Sequence, residues 1–210
     1  MKICIYSTPR SGSTSLFNYL KLLISEIGLK SYFEPFSMHG NKNRKYNSVV
    51  KFDNLLIKNI IYQLPTDIKN INDFDSKIIN DFDKIIVLLR KDIKAQAESY
   101  TYRGSKHFMQ QCPVKYGRGS WQTKSIYKFD DSEIGMIEEN EKTLLENTDH
   151  LIKFATENNL FIIHLEDILD KNEVYYNMLE YVGYSHIDTL YDSILSKEHK
   201  LRIEPIKKLL

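Results

Sequence analysis

Short continuous apolar runs and stretches with apolar side chains every three or four residues take turns along the chain, which predicts strands alternating with helices. Lys2 to Tyr6 (KICIY) predicts a strand that runs into the turn-rich STPRSGSTS of Ser7 to Ser15. From there Leu16, Phe17, Leu20, Leu23, Ile24 and Ile27 mark a helix that Gly28 stops. Tyr32-Phe33 and Val49 to Phe52 read as two more short strands. Asp53 then caps a predicted helix through Leu55, Leu56, Ile60 and Ile61 to about Leu64, ahead of Pro65, and residues 66–83 read as irregular. Ile85 to Leu89 (IIVLL) is the most hydrophobic run and belongs at the centre of a sheet covered on both faces. Asp92 caps a helix carrying Ala95, Ala97, Ser99 and Tyr100 that ends before Gly104, and a polar segment to about Asp130 reads as a long functional loop. A long helix from about Asp131 to Glu157, a buried strand at Leu160 to Leu165 and a helix from Glu173 to Val182, stopped by Gly183, complete the pattern. The alternation predicts a three-layer α/β/α fold with a central parallel sheet, whose ligands bind at the carboxyl ends of the strands.

Composition narrows the class. A chain of 210 residues fits one domain spanning 1–210, and 42% hydrophobic residues supply a packed interior. Lys and Arg number 29 against 28 Asp and Glu, so no overall positive field draws nucleic acid or an anionic membrane, although a local basic pocket is compatible with that balance. Two cysteines, Cys4 and Cys112, make neither a disulfide framework nor a four-thiolate metal site. No apolar run reaches the roughly 18–20 residues of a membrane span, and no cleavable signal follows Met1, so a cytoplasmic protein is expected. His39, His107, His150, His164, His186 and His199 show no metal-binding spacing and read as structural.

The chemistry is concentrated in two strand-following turns. In STPRSGSTS, small residues let the backbone approach an anion, a helix N-terminus points N–H groups at it, Ser11, Ser13, Thr14 and Ser15 offer hydroxyls, and Arg10 adds a cation. The plain alternative is a Ser-rich helix cap. The loop is not a Walker A motif, because no lysine follows Gly12. In the second turn, Arg90-Lys91 closes the central strand. Ser99 lies seven residues beyond the cap Asp92, about 10 Å along one helix face, so that a strand-end cation and a helical hydroxyl can meet on a second phosphate. With adjacent strands, the two turns would hold the two ends of one ligand.

These residues resemble the sulfotransferases that use 3′-phosphoadenosine 5′-phosphosulfate (PAPS). PRSGSTSLF (Pro9 to Phe17) is similar to their 5′-phosphosulfate loop and IIVLLRKDIKAQAESY (Ile85 to Tyr100) to their 3′-phosphate strand and helix. YFEPF (Tyr32 to Phe36) resembles the FEP segment of the carbohydrate enzymes, and LEDIL (Leu165 to Leu169) with the later YVGY resembles their late segment. QAES and the GSW at Trp121 resemble bacterial enzymes that sulfate trehalose or its glycolipids. The order covers residues 3 to 184. The family usually places its 3′-phosphate arginine eight residues before the serine, whereas Arg90 is nine before Ser99 and Lys91 eight, which leaves the role open between the two.

The resemblance implies a P-loop-NTPase-like sulfotransferase fold and in-line transfer of a sulfuryl group from PAPS to an acceptor hydroxyl, of a carbohydrate or glycolipid, without a metal. Arg10, Ser11, Gly12, Ser13, Thr14 and Ser15 would hold the 5′-phosphosulfate, and Arg90, Lys91 and Ser99 the 3′-phosphate. Glu34, in the FEP position between Phe33 and Phe36, is the candidate base, its basicity raised by aromatic surroundings. Lys51, closing VVK, is placed to touch the sulfuryl group or merely to end its strand. Tyr102 and Trp121 are candidates for stacking on adenine or a sugar, or for covering the core, and Glu166-Asp167 reads as a structural anchor. Two alternatives stand beside this reading. Cys4-x5-Arg10 matches the loop of low-molecular-weight tyrosine phosphatases, although Cys4 falls inside the predicted strand and no Asp-Pro acid segment occurs. A non-catalytic nucleotide-binding protein would keep the anion loops alone.

Overall fold

The computed structural model describes residues 1–23, 29–37, 44–104 and 129–184. Its strands are β1 (Lys2–Ser7), β2 (Lys30–Phe33), β3 (Leu55–Ile60), β4 (Lys84–Leu89) and β5 (Phe161–His164). Its helices are α1 (Ser13–Leu23), α2 (Tyr46–Val50), α3 (Ile71–Asp81), α4 (Ile93–Gly104), α5 (Asp131–Glu157), α6 (Leu165–Leu169) and α7 (Glu173–Tyr181). By contacts the chain forms two compact units, one built on Met1–Lys91 and the chain from Glu146, the other on Asp92–Leu145.

The first unit holds the sheet. Its order is β2-β3-β1-β4-β5 and every pair is parallel. Side chains therefore alternate between two covered faces, and β3 is buried at all six positions, as a strand with helices on both sides must be. Cys4, Tyr6, Leu55, Ile57, Ile85, Val87 and Leu89 turn to one face and pack with Phe74 and Ile78 of α3 and Leu151, Phe154 and Ala155 of α5. Helix α1 lies against β1 and β3 and α7 against β5, and no described residue of either belongs to that cluster. A 2.8 Å hydrogen bond between the Tyr19 and Tyr175 hydroxyls ties α1 to α7. The three-layer α/β/α arrangement expected from the sequence is thus the one that forms. The central first strand turns directly into helix α1.

The second unit is helical. Ala97 of α4 packs with Ile137 and Leu144 of α5, with Ile93 and Phe129 alongside, and Asn140 Nδ2 donates to Thr101 Oγ1 at 2.8 Å. Among the described residues no helix is long and apolar enough to cross a membrane.

Three expected elements are corrected. Val49 to Phe52, read as a strand, forms the end of the helix α2 and the turn after it, and the predicted helix from Asp53 to Leu64 contains the strand β3 instead. Lys58 and Asn59 inside an apolar run imitate an amphipathic helix, but both side chains are buried within the sheet. Residues 66–83 are not irregular. Ile71, Phe74 and Ile78 line one face of α3, and Asn70 caps it by accepting from Asp73 N at 2.9 Å. Helix α1 begins at Ser13, three residues earlier than the apolar spacing indicated. The expected helix stop at Gly28, Trp121, Cys112 and most of the 104–130 loop lie outside the described residues.

Candidate functional site

Parallel strands end on one edge. The register pairs Ser7 with both Ile60 and Leu88, Phe33 with Lys58 and Leu89 with His164, so the turns after β1, β2, β3, β4 and β5 share one rim of the sheet. The two turns singled out in the sequence follow neighbouring strands, β1 and β4.

The first turn is built by two left-handed residues, Arg10 at φ 62° and Gly12 at φ 84°. Gly12 is also pressed against the side chain of Leu165, where a Cβ would stand 2.4 Å from Leu165 Cδ1. Ser11 Oγ donates to the carbonyl of Thr8 at 2.8 Å and closes the turn. The carbonyl of Gly12 then accepts from Ser15 N at 3.0 Å and Leu16 N at 3.3 Å, starting α1. Ser13 and Thr14 consequently occupy the first helical turn, where no earlier helical carbonyl is available to their amides. The positive end of the α1 dipole and the Arg10 side chain accordingly belong to one loop.

The carboxylate candidate sits at the end of β2. Glu34 adopts φ 46°, donates its backbone N–H to the carbonyl of Lys58 at 2.9 Å and pairs its side chain with the Lys58 ammonium. Gln63 Nε2 donates to its other oxygen at 3.0 Å. Lys58 is almost wholly buried, its side chain 3% exposed against 19% for Glu34, and its Nζ lies 4.4 Å from the centre of the Phe33 ring. The lone carboxyl among aromatic rings expected from the sequence is therefore an ion pair with one buried and one accessible member. Lys58 and Gln63 were missed because their segment reads as a helix, which hides that one side chain ends at the rim.

Lys51 is displaced from its expected place. It caps the C-terminus of α2, is exposed and lies 5.3 Å from the Phe52 ring. Its neighbour Val50 accepts from Lys2 Nζ at 2.9 Å, and Leu55 N donates to Met1 O. Lys51 is thus near the amino ends of β1 and β3, opposite the rim. The cause is again the exchange of strand for helix at 49–52, so the cation beside Glu34 is Lys58.

At the end of β4 the two cations differ. Lys91 Nζ binds Asp167 Oδ1 at 2.7 Å, and Lys91 N donates to Glu166 Oε2 at 3.0 Å. Asp167 also accepts from Asn172 Nδ2 at 2.9 Å and from His164 N at 3.0 Å in a capping box that starts α6. Burial would raise its pKa, but these donors outweigh it and bring the carboxyl down to about 2, while Lys91 is raised chiefly by its bond to Asp167. Asp167 therefore anchors the chain, as the sequence suggested. Its stabilising effect is complete above the unfolded value near 4 and is lost as the pH falls towards 2. Asp167→Asn is expected to cost about 1–2 kcal/mol at pH 7 and to flatten the acid limb of a melting-temperature profile over that interval, measured by circular dichroism. Arg90, by contrast, has a buried Nε without a hydrogen-bond partner, its nearest carboxylate oxygen being Glu166 Oε1 at 3.9 Å. An orphaned guanidinium N–H at a strand end fits an anionic group. Ser99 and Tyr102 lie on α4 in the second unit.

Cys4 does not begin a loop. It lies within β1, fully buried, and burial first and then the charge of Asp75 push its thiol far up, the reverse of what a nucleophilic thiolate needs. Among the described residues no group of three or more His, Cys, Asp and Glu side chains is placed to hold a metal ion.

No protein-family model matches the chain, and no curated protein matches it. Among solved structures it is similar to that of deoxyadenosine kinase from M. mycoides with bound dATP, at 13% identity over 86% of this chain and 99% of that one, with a TM-score of 0.37.

Proposed function

We propose that this chain is a PAPS-dependent sulfotransferase that moves the sulfuryl group to an acceptor hydroxyl of a carbohydrate or glycolipid. The observation that carries the reading is the pairing of β1 with β4, which brings the Arg10 loop and the Arg90 turn to the same rim of one sheet. A donor with phosphate-type groups at both ends suits two cation-bearing turns so arranged. Arg10 and the first amides of α1 would bind the 5′-phosphosulfate, with Ser11, Gly12, Ser13, Thr14 and Ser15 supplying the close backbone and hydroxyls. Arg90, rather than the engaged Lys91, would bind the 3′-phosphate.

Glu34 is the group that would take the acceptor's proton. It is the accessible member of its pair, and Lys58 and Gln63 fix which way its two oxygens point. Lys58 keeps the carboxyl anchored and adds positive charge where negative charge spreads during an in-line displacement. The phosphatase alternative is disfavoured by Cys4, which is buried in mid-strand.

Calorimetric titration with adenosine 3′,5′-bisphosphate, followed by transfer assays with sulfate-labelled PAPS and a panel of sugars, glycolipids and phenols, tests the reading. Tight 1:1 binding and labelled product are expected. Arg10→Ala should weaken binding at least tenfold, the value of one charge-assisted contact of about 1.5–3 kcal/mol. Binding without transfer to any acceptor would favour the non-catalytic alternative, and absence of binding would overturn the proposal.

A further inference from the structure

On the face of the sheet covered by α3 and α5, a hydrogen-bonded chain runs from a cavity to the strand that carries the anion loop. A groove of about 420 Å³ lies between the two helices, bordered by Asn72, Ser76 and Asn80 on one side and His150, Lys153 and Asn158 on the other. His150, about one-third exposed, lines the groove and places Nε2 2.7 Å from Asp75 Oδ2. The other carboxylate oxygen, Asp75 Oδ1, accepts from the Tyr6 hydroxyl at 3.0 Å. Tyr6 is fully buried, held edge-on between the rings of Phe74 and Phe154, and stands directly before Ser7, the last residue of β1.

The chemistry of the three groups makes this chain responsive. The cavity exposes the imidazole to protons from solvent, while the carboxylate behind it is buried. Asp75 is raised by its burial, against the opposing bonds of His150 and Tyr6, and Tyr6 is raised by burial and by the neighbouring Asp75. Of the other titratable groups here, Cys4 of β1 is buried and neutral, and Lys153 and Glu157 of α5 are exposed and paired with each other at 3.9 Å. The imidazole of His150 is the group in contact with Asp75, and a proton gained or lost there changes how strongly the carboxylate draws on the Tyr6 hydroxyl.

We infer that His150, Asp75 and Tyr6 form a positioning relay through which protonation in the α3–α5 groove adjusts the end of β1 and the anion loop that follows it. The inference concerns the loop and does not depend on which anion the loop binds.

The test is a pH titration of the full chain by ¹H–¹⁵N NMR, with the ring Cε1–H of His150 followed in parallel. The amide signals of Ser11 to Ser15 should move with the midpoint of the His150 ring. His150→Gln should abolish that movement. Tyr6→Phe, which removes only the hydroxyl, should leave the ring titration in place and uncouple the loop amides from it. Melting curves establish that both variants are folded, and Asp75→Asn, which keeps the shape but not the charge, serves in place of any that is not. Loop amides that stay fixed through the His150 titration, or that follow it undiminished in Tyr6→Phe, would overturn the relay.

Discussion

Glu34→Ala is expected to destabilise the protein more than Lys58→Met, although both substitutions break the same ion pair. The asymmetry follows from burial: removing Glu34 takes the counter-charge from an ammonium that is 3% exposed, whereas removing Lys58 leaves a carboxylate that is 19% exposed and still accepts from Gln63. Leaving a buried charge without its partner costs about 3–5 kcal/mol, and the Glu34→Ala variant should lose that much. Lys58→Met, whose methionine refills the space beside Phe33, should lose about 1–2 kcal/mol. Combining Lys58→Met with Glu34→Ala removes both charges and should recover most of the Glu34→Ala deficit, the sign of strong coupling in a double-mutant cycle. Urea unfolding monitored by circular dichroism reads all three. Equal losses for the two single variants, or a larger loss for Lys58→Met, would show that Lys58 is not held in place by Glu34. The proposed chemistry separates from stability in Glu34→Gln, which keeps a polar partner for Gln63 but cannot take a proton. Its sulfuryl transfer should fall by about 10²–10⁴, assayed under conditions where its own urea curve shows the variant folded.

The residues of this pair also mark where reading the sequence succeeds and where it stops. The segments with unambiguous local signals were legible: the KICIY and IIVLL runs form β1 and β4, and the Gly/Ser/Thr turn with its following helix is the turn before α1. Glu34 was identified and does reach the rim. Lys58 was not, because a strand buried on both faces has no alternation to reveal it, and a lysine with an asparagine inside an apolar run mimics the polar face of a helix. The companion exchange of strand for helix at 49–52 moved Lys51 from the rim to the opposite edge of the sheet. The choice between Arg90 and Lys91 depended on partners 75 and 76 residues away in sequence, Glu166 and Asp167, whose positions only the fold supplies. Local pattern records which side chains are apolar, whereas the pairing of charges is a long-range property.

Gly12→Ala tests the proposed anion loop from its backbone. At φ 84° an alanine is strained by about 1–2 kcal/mol. Its Cβ would also meet Leu165 Cδ1 at 2.4 Å, with Cγ and Cδ2 at 3.3 Å. Leu165 is buried at the start of α6, so it cannot swing clear without repacking, and overfilling a packed site costs about 1–3 kcal/mol more. The variant should therefore lose about 2–5 kcal/mol in thermal or urea denaturation. On the proposed function it should also lose its affinity for adenosine 3′,5′-bisphosphate, because any relief of the clash shifts the amides of Ser13 and Thr14 at the start of α1. The two contributions can be separated. Leu165→Ala leaves room for the new methyl but does nothing for the backbone angle, so the double variant should be more stable than the sum of the single losses predicts, by about the 1–3 kcal/mol of overpacking, and should still bind the bisphosphate poorly. If Gly12→Ala melts with the parent protein, Leu165 does not press on this turn. If the double variant regains full affinity, the left-handed angle at Gly12 is not what shapes the anion site.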